Sequence, residues 1–531
     1  MKKIFLYCLP FCLLFASCSD LLDEESYSET GKGNYLNNAK EAETVLQGVY
    51  KNLANEYTYS YHLSLLFTIS TDIAQCEGSS TTSFREIPTN SHNASTSQIS
   101  RTWQQLYSAI YDANDFIETV SDRMDGWGSS DRELAAIYLG EARALRALFY
   151  FELVRWYGNV VLMTSTADSR KKDEDYEQSA AEDVYAYIEE DLKYAAEVLP
   201  WAVDDTKRTS NAYRFSKGAA LGLLAKVYCT WAGYPVRDES KWAEAEKVAR
   251  RVVESGKHRL ISDYETVWKN TCNGIWDAGE SLIEVSFYSP TGLDSDNTAG
   301  RIGKWNGVSA TTIDGERGRN AANWKVVYTF TRDWEAQNDP RMKLSIADYK
   351  YDHTLGSGPI TYFSTISSAN PSEDQKNRQR QLFTPGKWDT EKYVETSNYI
   401  VNNDKSNVNW YILRYSDVLL LFAEALNESG GSIVDAVDAV NAVRRRGFGD
   451  TKHDLSYGLS REDLREAIRK ERAYELCFEG HRKQDLIRWG IYYDRVMETA
   501  QELVNWYSNA NYAVARYIIK GRHELLPIPQ R

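Results

Sequence analysis

The sequence has no excess of positive charge and, after its first residues, no long apolar run. Its 62 Lys and Arg residues stand against 76 Asp and Glu residues, which gives a formal net charge of −14. A net negative chain is a poor candidate for binding nucleic acid, which requires a basic surface. No segment beyond residue 18 has the roughly 18 consecutive apolar residues that a membrane-spanning helix needs. We therefore expect neither a nucleic-acid partner nor a membrane-spanning segment.

The sequence also lacks the motifs of common enzyme classes. It contains no CxxC, no GxSxG and no P-loop, its seven His residues form no cluster, and His523-Glu524 does not begin an HExxH motif. The spaced glycines of GERGRN, residues 315–320, have no surrounding βαβ unit, so we interpret them as part of a loop. We expect no enzymatic activity, no metal ion and no cofactor. Glycoside hydrolysis stays an alternative, because it needs only two suitably placed carboxylates.

Aromatic residues are the most unusual part of the composition. There are 36 Tyr and 15 Trp residues against only 5 Met residues. Tyr and Trp combine a large apolar face with a polar tip, so they suit wet binding surfaces as well as cores. Most of them are expected in the core, and those that lie in polar loops are candidates for ligand contact.

Residues 1–17 have the pattern of a lipoprotein signal peptide. Lys2 and Lys3 precede an apolar run, and two small residues precede Cys18. The end of this segment resembles a bacterial lipobox, although Phe15 stands where Leu is usual. The resemblance implies that Cys18 becomes the lipidated first residue and that residues 18–40 form the anchor and N-terminal segment. The acidic run that follows resembles a surface-export signal. An ordinary cleaved signal followed by a chance Cys is the alternative.

The remaining cysteines are compatible with an exported protein. Cys229 and Cys477 lie in apolar helical runs and are expected to be buried free thiols. Cys76 and Cys272 lie in loop-like sequence, and a disulfide between them is possible outside the cytoplasm. The sequence leaves open whether they pair.

Helical spacing of apolar residues dominates the first half of the chain. Ser130 or Asp131 is expected to cap the third helix, and Gly158 and Pro200 are expected to follow the ends of the third and fourth. The predicted helices cover residues 41–55, 101–122, 131–157 and 181–199.

Two later segments repeat one plan of paired helices. Residues 213–233 and 241–255 form the first predicted pair, and residues 411–428 and 432–446 form the second. Small residues lie where the two helices of each pair would meet: Ala225, Ala245, Ala423 and Ala436. Both pairs resemble tetratricopeptide units, which stack on one another. We therefore predict a mainly α fold with a helical scaffold formed by residues 41–256 and 410–531.

Residues 257–409 interrupt this scaffold with a different composition. The segment is rich in Gly, Asn, Ser, Thr and aromatic residues, and residues 282–288 form a strand-like run. An irregular segment of this length inside a helical domain is usually functional. We predict a loop-rich insertion that packs on the scaffold. A second polar loop, residues 75–98, is a candidate for contact with this insertion in the folded protein.

Four segments together resemble the SusD/RagB family of surface glycan- and nutrient-binding lipoproteins. They are EARALRALFYFELVRWYGNVVL at 141–162, LRYSDVLLLFAEALNE at 413–428, ERAYELCFEGHRKQDLIRWG at 471–490 and LLPIPQR at 525–531. The chain departs from the family near Val161, where Pro is usual. The resemblance implies tetratricopeptide-like helix pairs with an irregular insertion. It also implies a lipid-anchored position at the outer membrane, facing the cell surface, and a SusC-like TonB-dependent transporter as partner.

The charged residues of 471–490 permit two interpretations. Glu471, Glu475 and Glu479 would share one helical face, with Arg472 and Arg482 nearby. A helix with ion pairs along its surface is one interpretation, and a catalytic carboxylate pair is the other. The family resemblance favours the first. Arg414 and Asp417 in the second family segment are likewise interpreted as packing and pairing residues.

Aromatic residues in the polar loops are the candidates for sugar contact. A sugar ring presents apolar C–H faces that can stack on an aromatic ring, while polar side chains bind its hydroxyl groups. Trp305, between Gly303 and Gly307, has little apolar sequence to bury it, although a buried anchor is the alternative. Trp103, Trp156, Trp324 and Trp334 are expected in the core. The candidate glycan-binding residues are Asp72, Phe84, Arg85, Trp276, Tyr288, Arg301, Trp305 and Asn306.

Three functions are therefore compared. The first is a surface lipoprotein that captures oligo- or polysaccharide and delivers it to a SusC-like transporter. The second keeps the fold but binds peptide or another nutrient, as RagB-type members do. The third is a secreted glycoside hydrolase. Coplanar exposed aromatic residues would favour the first, a groove with free strand edges the second, and a carboxylate pair in a cleft the third.

Overall fold

The computed structural model describes residues 35–172, 175–289, 298–313, 316–354, 360–365 and 371–530. The signal peptide, Cys18 and most of the N-terminal segment lie outside the described residues.

Helices form most of the described chain, which confirms the mainly α prediction. They are α1 (Ala39–Lys51), α2 (Ser97–Arg123), α3 (Ser129–Tyr157), α4 (Ala181–Val198), α5 (Lys217–Trp231), α6 (Lys241–Val253), α7 (Tyr264–Cys272), α8 (Tyr328–Glu335), α9 (Arg341–Ser345), α10 (Glu373–Arg380), α11 (Thr390–Tyr393), α12 (Tyr415–Ser429), α13 (Ile433–Phe448), α14 (Arg461–Glu475), α15 (Arg482–Arg488) and α16 (Tyr492–Trp506).

Short strands form antiparallel pairs within the described residues. They are β1 (Ala74–Cys76), β2 (Ser281–Val285), β3 (Trp324–Val326), β4 (Ile346–Ala347), β5 (Tyr349–Tyr351), β6 (Ile360–Tyr362), β7 (Thr384–Pro385) and β8 (Trp410–Arg414). The pairs are β1 with β3, β2 with β8, β4 with β7, and β5 with β6.

The predicted helices lie within a few residues of the observed ones, with two corrections. Helix α3 begins after Gly128, and neither Ser130 nor Asp131 caps it, whereas Gly158 follows its end with φ of +76°, as predicted. Residues 411–414 are in strand β8 and not in a helix. All five residues of β8 are buried, and pairing with β2 outweighs the local helical pattern.

The two predicted helix pairs stack on each other. Helix α5 packs on α6, α12 packs on α13, and α12 also packs on α5 and α6. The small residues at these contacts are fully buried: Ala225, Ala245, Ala423 and Ala436. Small side chains allow the helices to approach closely, so one core forms from both pairs.

Residues 257–409 hold more regular structure than predicted. The segment contains α7 to α11 and β2 to β7, so it is not simply an irregular loop. It is joined to the scaffold through β2 and β8, and to the loop of residues 75–98 through β1 and β3, where Cys76 lies opposite Trp324. The two polar segments therefore meet in space.

The four cysteines in the described residues are free and buried. Cys76 lies in β1 and Cys272 ends α7, so the possible disulfide between them is not formed. Burial raises the pKa of the Cys76 thiol to about 11. Cys229 and Cys477 are buried free thiols, as predicted.

The glutamates of segment 471–490 do not pair along one helix. Helix α14 ends at Glu475, and the buried Glu471, Glu475 and Glu479 accept hydrogen bonds from basic residues of other elements. These partners are Arg341, Lys387, Arg414, Arg444 and Arg446. Burial by itself would raise the pKa of Glu475, but the arginines lower it to about 2. A carboxylate that stays ionised in this way cannot serve as a general acid near neutral pH.

Within the ranges given above, none of the helices combines the length and the apolar character that crossing a membrane requires.

Candidate functional site

An aromatic and cationic group, here called the Trp305 cluster, forms where the two polar segments meet. It consists of Tyr61, Phe84, Arg85, Arg301 and Trp305. Tyr61 follows α1, the Phe84 and Arg85 pair lies in a short helical turn after β1, and the other two come from the loop between β2 and β3. The backbone N–H of Trp324 in β3 donates to the carbonyl of Trp305 at 3.0 Å, which ties this loop to the strand pair.

The rings of the Trp305 cluster contact one another at an angle. The Trp305 ring centroid lies 5.0 Å from that of Phe84, nearly perpendicular to it, and 5.0 Å from that of Tyr61. Such edge-to-face and tilted contacts are the favoured arrangements of aromatic pairs. Trp305 and Phe84 are half-buried, whereas Tyr61 is buried. The cluster is therefore an anchored aromatic surface with a solvent-accessible part.

Two guanidinium groups lie on these rings. Arg301 Cζ is 4.8 Å from the ring centroid of Tyr61 and 5.1 Å from that of Trp305, and Arg85 Cζ is 4.4 Å from that of Phe84. Contacts of this kind stabilise a cation over an aromatic face. Arg301 also forms a 2.8 Å ion pair with Glu56. Apolar ring surface and hydrogen-bond donors therefore lie side by side.

The glycines around Trp305 form a tight turn, which restricts the conformation of its loop. Gly303 has φ of +77°, and a Cβ atom on Gly307 would lie 2.3 Å from the Gly303 carbonyl oxygen. Asn306 is fully buried, and its Oδ1 accepts a hydrogen bond from the Gly303 N–H at 2.7 Å. The expectation that Trp305 has few neighbours was wrong, because Tyr61 and Phe84 come from other parts of the chain. Asn306 closes the turn and does not face solvent.

A second concave region, here called the Tyr288 pocket, lies beside α1 and β2. It has a volume of 410 Å³ and is lined mainly by residues 43–54, 210–214, 284–288 and Thr298. Tyr288 lines it and is 66% exposed. Trp276 is half-buried, and its ring centroid lies 6.3 Å from that of Tyr213, which also lines the pocket. The structure thus places Tyr288 at this pocket and Trp276 against a residue that lines it, and neither belongs to the Trp305 cluster.

Asp72 lies in neither of these regions. It is buried in the wall of a 940 Å³ cavity beside α14 and α16, where it forms ion pairs with Arg482 at 2.7 Å and Arg495 at 3.2 Å. Burial by itself would raise its pKa, but Arg482 and then Arg495 lower it. Both carboxylate oxygens already accept hydrogen bonds from Arg482 of α15, and Oδ2 also accepts one from Arg495 of α16, so Asp72 joins these two helices to the turn before β1.

Sequence reasoning missed Tyr61, Glu56 and Tyr213. The first two lie in the aromatic run EYTYSYH, residues 56–62, whose density of Tyr was an available signal. Tyr213 was assigned to a predicted helix, but it lies before α5 with φ of +61°. Its position beside Trp276 could not be read from the local pattern.

Comparison with known proteins agrees with this fold. Residues 294–531 match the SusD family model, and residues 20–229 match a model described as starch-binding associating with outer membrane. A crystal structure of a SusD homolog from Bacteroides thetaiotaomicron is 54% identical, with a TM-score of 0.90, over 95% of this chain and 97% of that chain.

More distant relatives are similar over nearly the whole chain. SusD-like protein P2 from Formosa agariphila is 26% identical over 499 residues, which cover 92% of this chain and 91% of the relative. A laminarin binding SusD-like protein has a TM-score of 0.68 at 23% identity, over 93% of this chain and 97% of that chain. The paired helices, the insertion joined to them and these similarities together show that the chain belongs to the SusD family.

Proposed function

We propose that the protein binds a glycan and that the Trp305 cluster is the binding surface. The observation that carries the proposal is the half-buried indole of Trp305, held edge-to-face against Phe84 with Arg301 and Arg85 on the rings. The accessible ring surface suits the C–H face of a sugar, and guanidinium groups can donate to its hydroxyl groups. The laminarin binding relative supports a carbohydrate ligand for this fold.

The proposal extends to a place at the cell surface. Lipidation of Cys18 would hold the protein at the outer membrane, and the bound glycan would pass to a SusC-like TonB-dependent transporter. The signal-like residues 1–17 support the anchor, and the acidic run after Cys18 supports surface exposure. The family model that describes association with the outer membrane supports the location.

Binding without hydrolysis is part of the proposal. Arginine and lysine side chains lower the pKa of the buried Glu475 and Glu479 in the family segment 471–490, so these two residues do not offer a carboxyl group that could protonate a leaving group. Peptide binding is less favoured than glycan binding. In the part of the chain that the structure describes, strands have two to five residues and offer only short edges for an extended peptide.

Affinity electrophoresis tests the proposal. The protein lacking residues 1–17 is run through gels that contain laminarin, starch, xylan, mannan, pectin or arabinogalactan. We expect at least one polysaccharide to retard wild-type protein and Trp305→Ala to migrate faster in that gel. No new reducing ends should form during prolonged incubation. Retardation by none of the polysaccharides, or steady release of reducing ends by pure protein, would contradict the proposal.

A further inference from the structure

The Tyr288 pocket has the chemistry of a sugar-binding site of its own. Its 410 Å³ volume lies within the range of about 300–1,000 Å³ that is typical of small-molecule sites. Tyr288 is 66% exposed at its edge, although a large aromatic ring gains most when it is covered. The backbone N–H of Tyr288 donates to the carbonyl of Thr298 at 3.0 Å, which fixes the position of this residue.

Polar side chains around the pocket are available for a ligand. Gln47, Ser210 and Ser286 line the pocket, are exposed and form no side-chain hydrogen bond within the described ranges. In contrast, Arg214 is held by Glu43 and Glu141. An amide and two hydroxyl groups can each donate and accept, as the hydroxyl groups of a sugar require. The pocket thus combines these free polar groups with the rings of Tyr50, Tyr213 and Tyr288, and aromatic side chains with a few well-placed polar groups are usual in a ligand site.

The pocket and the Trp305 cluster are close neighbours along two stretches of chain. Ala54 lines the pocket, and Glu56, two residues later, is the ion-pair partner of Arg301 in the cluster. Thr298 also lines the pocket and precedes Arg301 by three residues, which separates their backbones by at most about 11 Å. An oligosaccharide of a few units is long enough to bridge such a distance.

We propose that the Tyr288 pocket is a second sugar-binding site and that one oligosaccharide occupies it together with the Trp305 cluster. This inference rests on the proposed function, because it assigns a further part of the same ligand. The preferred ligand is then a chain of several sugars and not a mono- or disaccharide. Once one end is bound, the other end binds as an intramolecular step, so affinity rises with length until both sites are filled.

The test measures how a Tyr288 substitution depends on ligand length. Oligosaccharides of the polysaccharide that retards the wild type are titrated calorimetrically, from the disaccharide upward, into wild type, Tyr288→Ala and Trp305→Ala. Because the side chain of Tyr288 is exposed, we expect Tyr288→Ala to fold as wild type does, and thermal melts check this. Tyr457→Ala is the matched control, since Tyr457 is 52% exposed and belongs to neither region.

We expect Tyr288→Ala to lower the affinity for the longest ligands by about tenfold and to leave that for the disaccharide unchanged. Trp305→Ala should weaken every length, and Tyr457→Ala none. An unchanged affinity of Tyr288→Ala at all lengths, or an equal loss at every length, would overturn the two-site inference while the proposed function stands. If Trp305→Ala binds every length as wild type does, the proposed site itself fails.

Discussion

Glu284 is a buried carboxyl group that lines the Tyr288 pocket and has hydrogen-bond donors but no ion-pair partner among the described residues. Its Oε2 accepts from the Ser281 hydroxyl at 2.6 Å, and its Oε1 accepts from the Asn409 amide at 2.9 Å. Burial raises its pKa to about 7, against an ordinary value of 4.5. The folded state therefore binds this proton more tightly than the unfolded state does.

The sign of the resulting pH dependence follows from linkage. Below pH 4.5 the group is protonated in both states, and its full contribution to stability is present. As the pH rises toward about 7, the unfolded state ionises first, and that contribution is lost. We predict that Glu284→Gln, which cannot ionise, gains stability relative to wild type over this window.

Urea unfolding at a series of pH values measures the effect. Glu197→Gln is the matched control, because Glu197 is exposed on α4 and makes no hydrogen bond or ion pair within the described chain. The difference between Glu284→Gln and wild type should grow between pH 4.5 and 7, whereas the control difference should stay flat. If the stability difference between Glu284→Gln and wild type is as independent of pH as that of the control, Glu284 is not protonated in the folded protein.

Between elements, buried ion pairs connect β8, α9, α13 and α14. Arg414, the last residue of β8, bonds to Glu280 at 2.7 Å, Glu475 at 3.1 Å and Glu479 at 2.8 Å, and these side chains have 1% exposure or less. Removing one partner of such a network leaves charges buried without compensation, which costs more than the ion pair contributes. The contacts join the family segment 471–490 to the strand pair β2–β8.

We predict that Arg414→Met lowers the free energy of unfolding by about 3–5 kcal/mol. The control is Lys520→Met, because Lys520 and its partner Asp494 are both largely exposed and solvent screens their attraction. Urea unfolding should show a large loss for the first variant and almost none for the second. A loss for Arg414→Met as small as that of the control would contradict a structural role of the network.

Periodicity was sufficient to predict the helices but not the contacts between distant elements. The apolar spacing of 131–157 and the two helix pairs is local, so the sequence shows it directly. Strand β8 was missed because its partner β2 lies in a different part of the chain. A local window sees only the apolar run WYILR, which fits a helix as well as a buried strand.

The candidate site could be predicted only in part for the same reason. Phe84, Arg85, Arg301 and Trp305 were chosen because aromatic and polar residues stand in polar loops, and the structure brings these four together. Their meeting depends on the β1–β3 pair, which no local pattern indicates. The contact of Trp305 with Tyr61 was missed, and so was the tight turn that Gly303 and Gly307 form.

For the molecule as a whole, the proposed task depends on a position at the cell surface. We predict that Cys18→Ala releases the protein from the membrane fraction into the soluble fraction. A single acyl chain binds a membrane only marginally, and several chains on one Cys give a stable anchor. Immunoblots of separated fractions measure the change, and Cys229→Ala, at a buried thiol in α5, is the control. A Cys18→Ala protein that stays in the membrane fraction would contradict the lipoprotein interpretation.

The Trp305 cluster and the Tyr288 pocket are both formed by segments that lie far apart in the sequence, and the scaffold of paired helices brings these segments together. The ring of Trp305 packs on Phe84 and so joins the insertion to the loop after β1. Its half-buried state predicts a modest loss of thermal stability on truncation, together with the loss of the stacking surface. Affinity and stability must therefore be measured separately for the same variant.

Calorimetric titration of wild type and Trp305→Ala with the polysaccharide that retards the wild type is the most direct test of glycan binding at this cluster. We predict a loss of about 2 kcal/mol, or roughly thirtyfold in affinity, as for other central aromatic anchors. Trp242→Ala, at a half-buried tryptophan of α6, should bind as wild type does. An unchanged affinity of a folded Trp305→Ala protein would contradict the assignment of the binding surface to the Trp305 cluster.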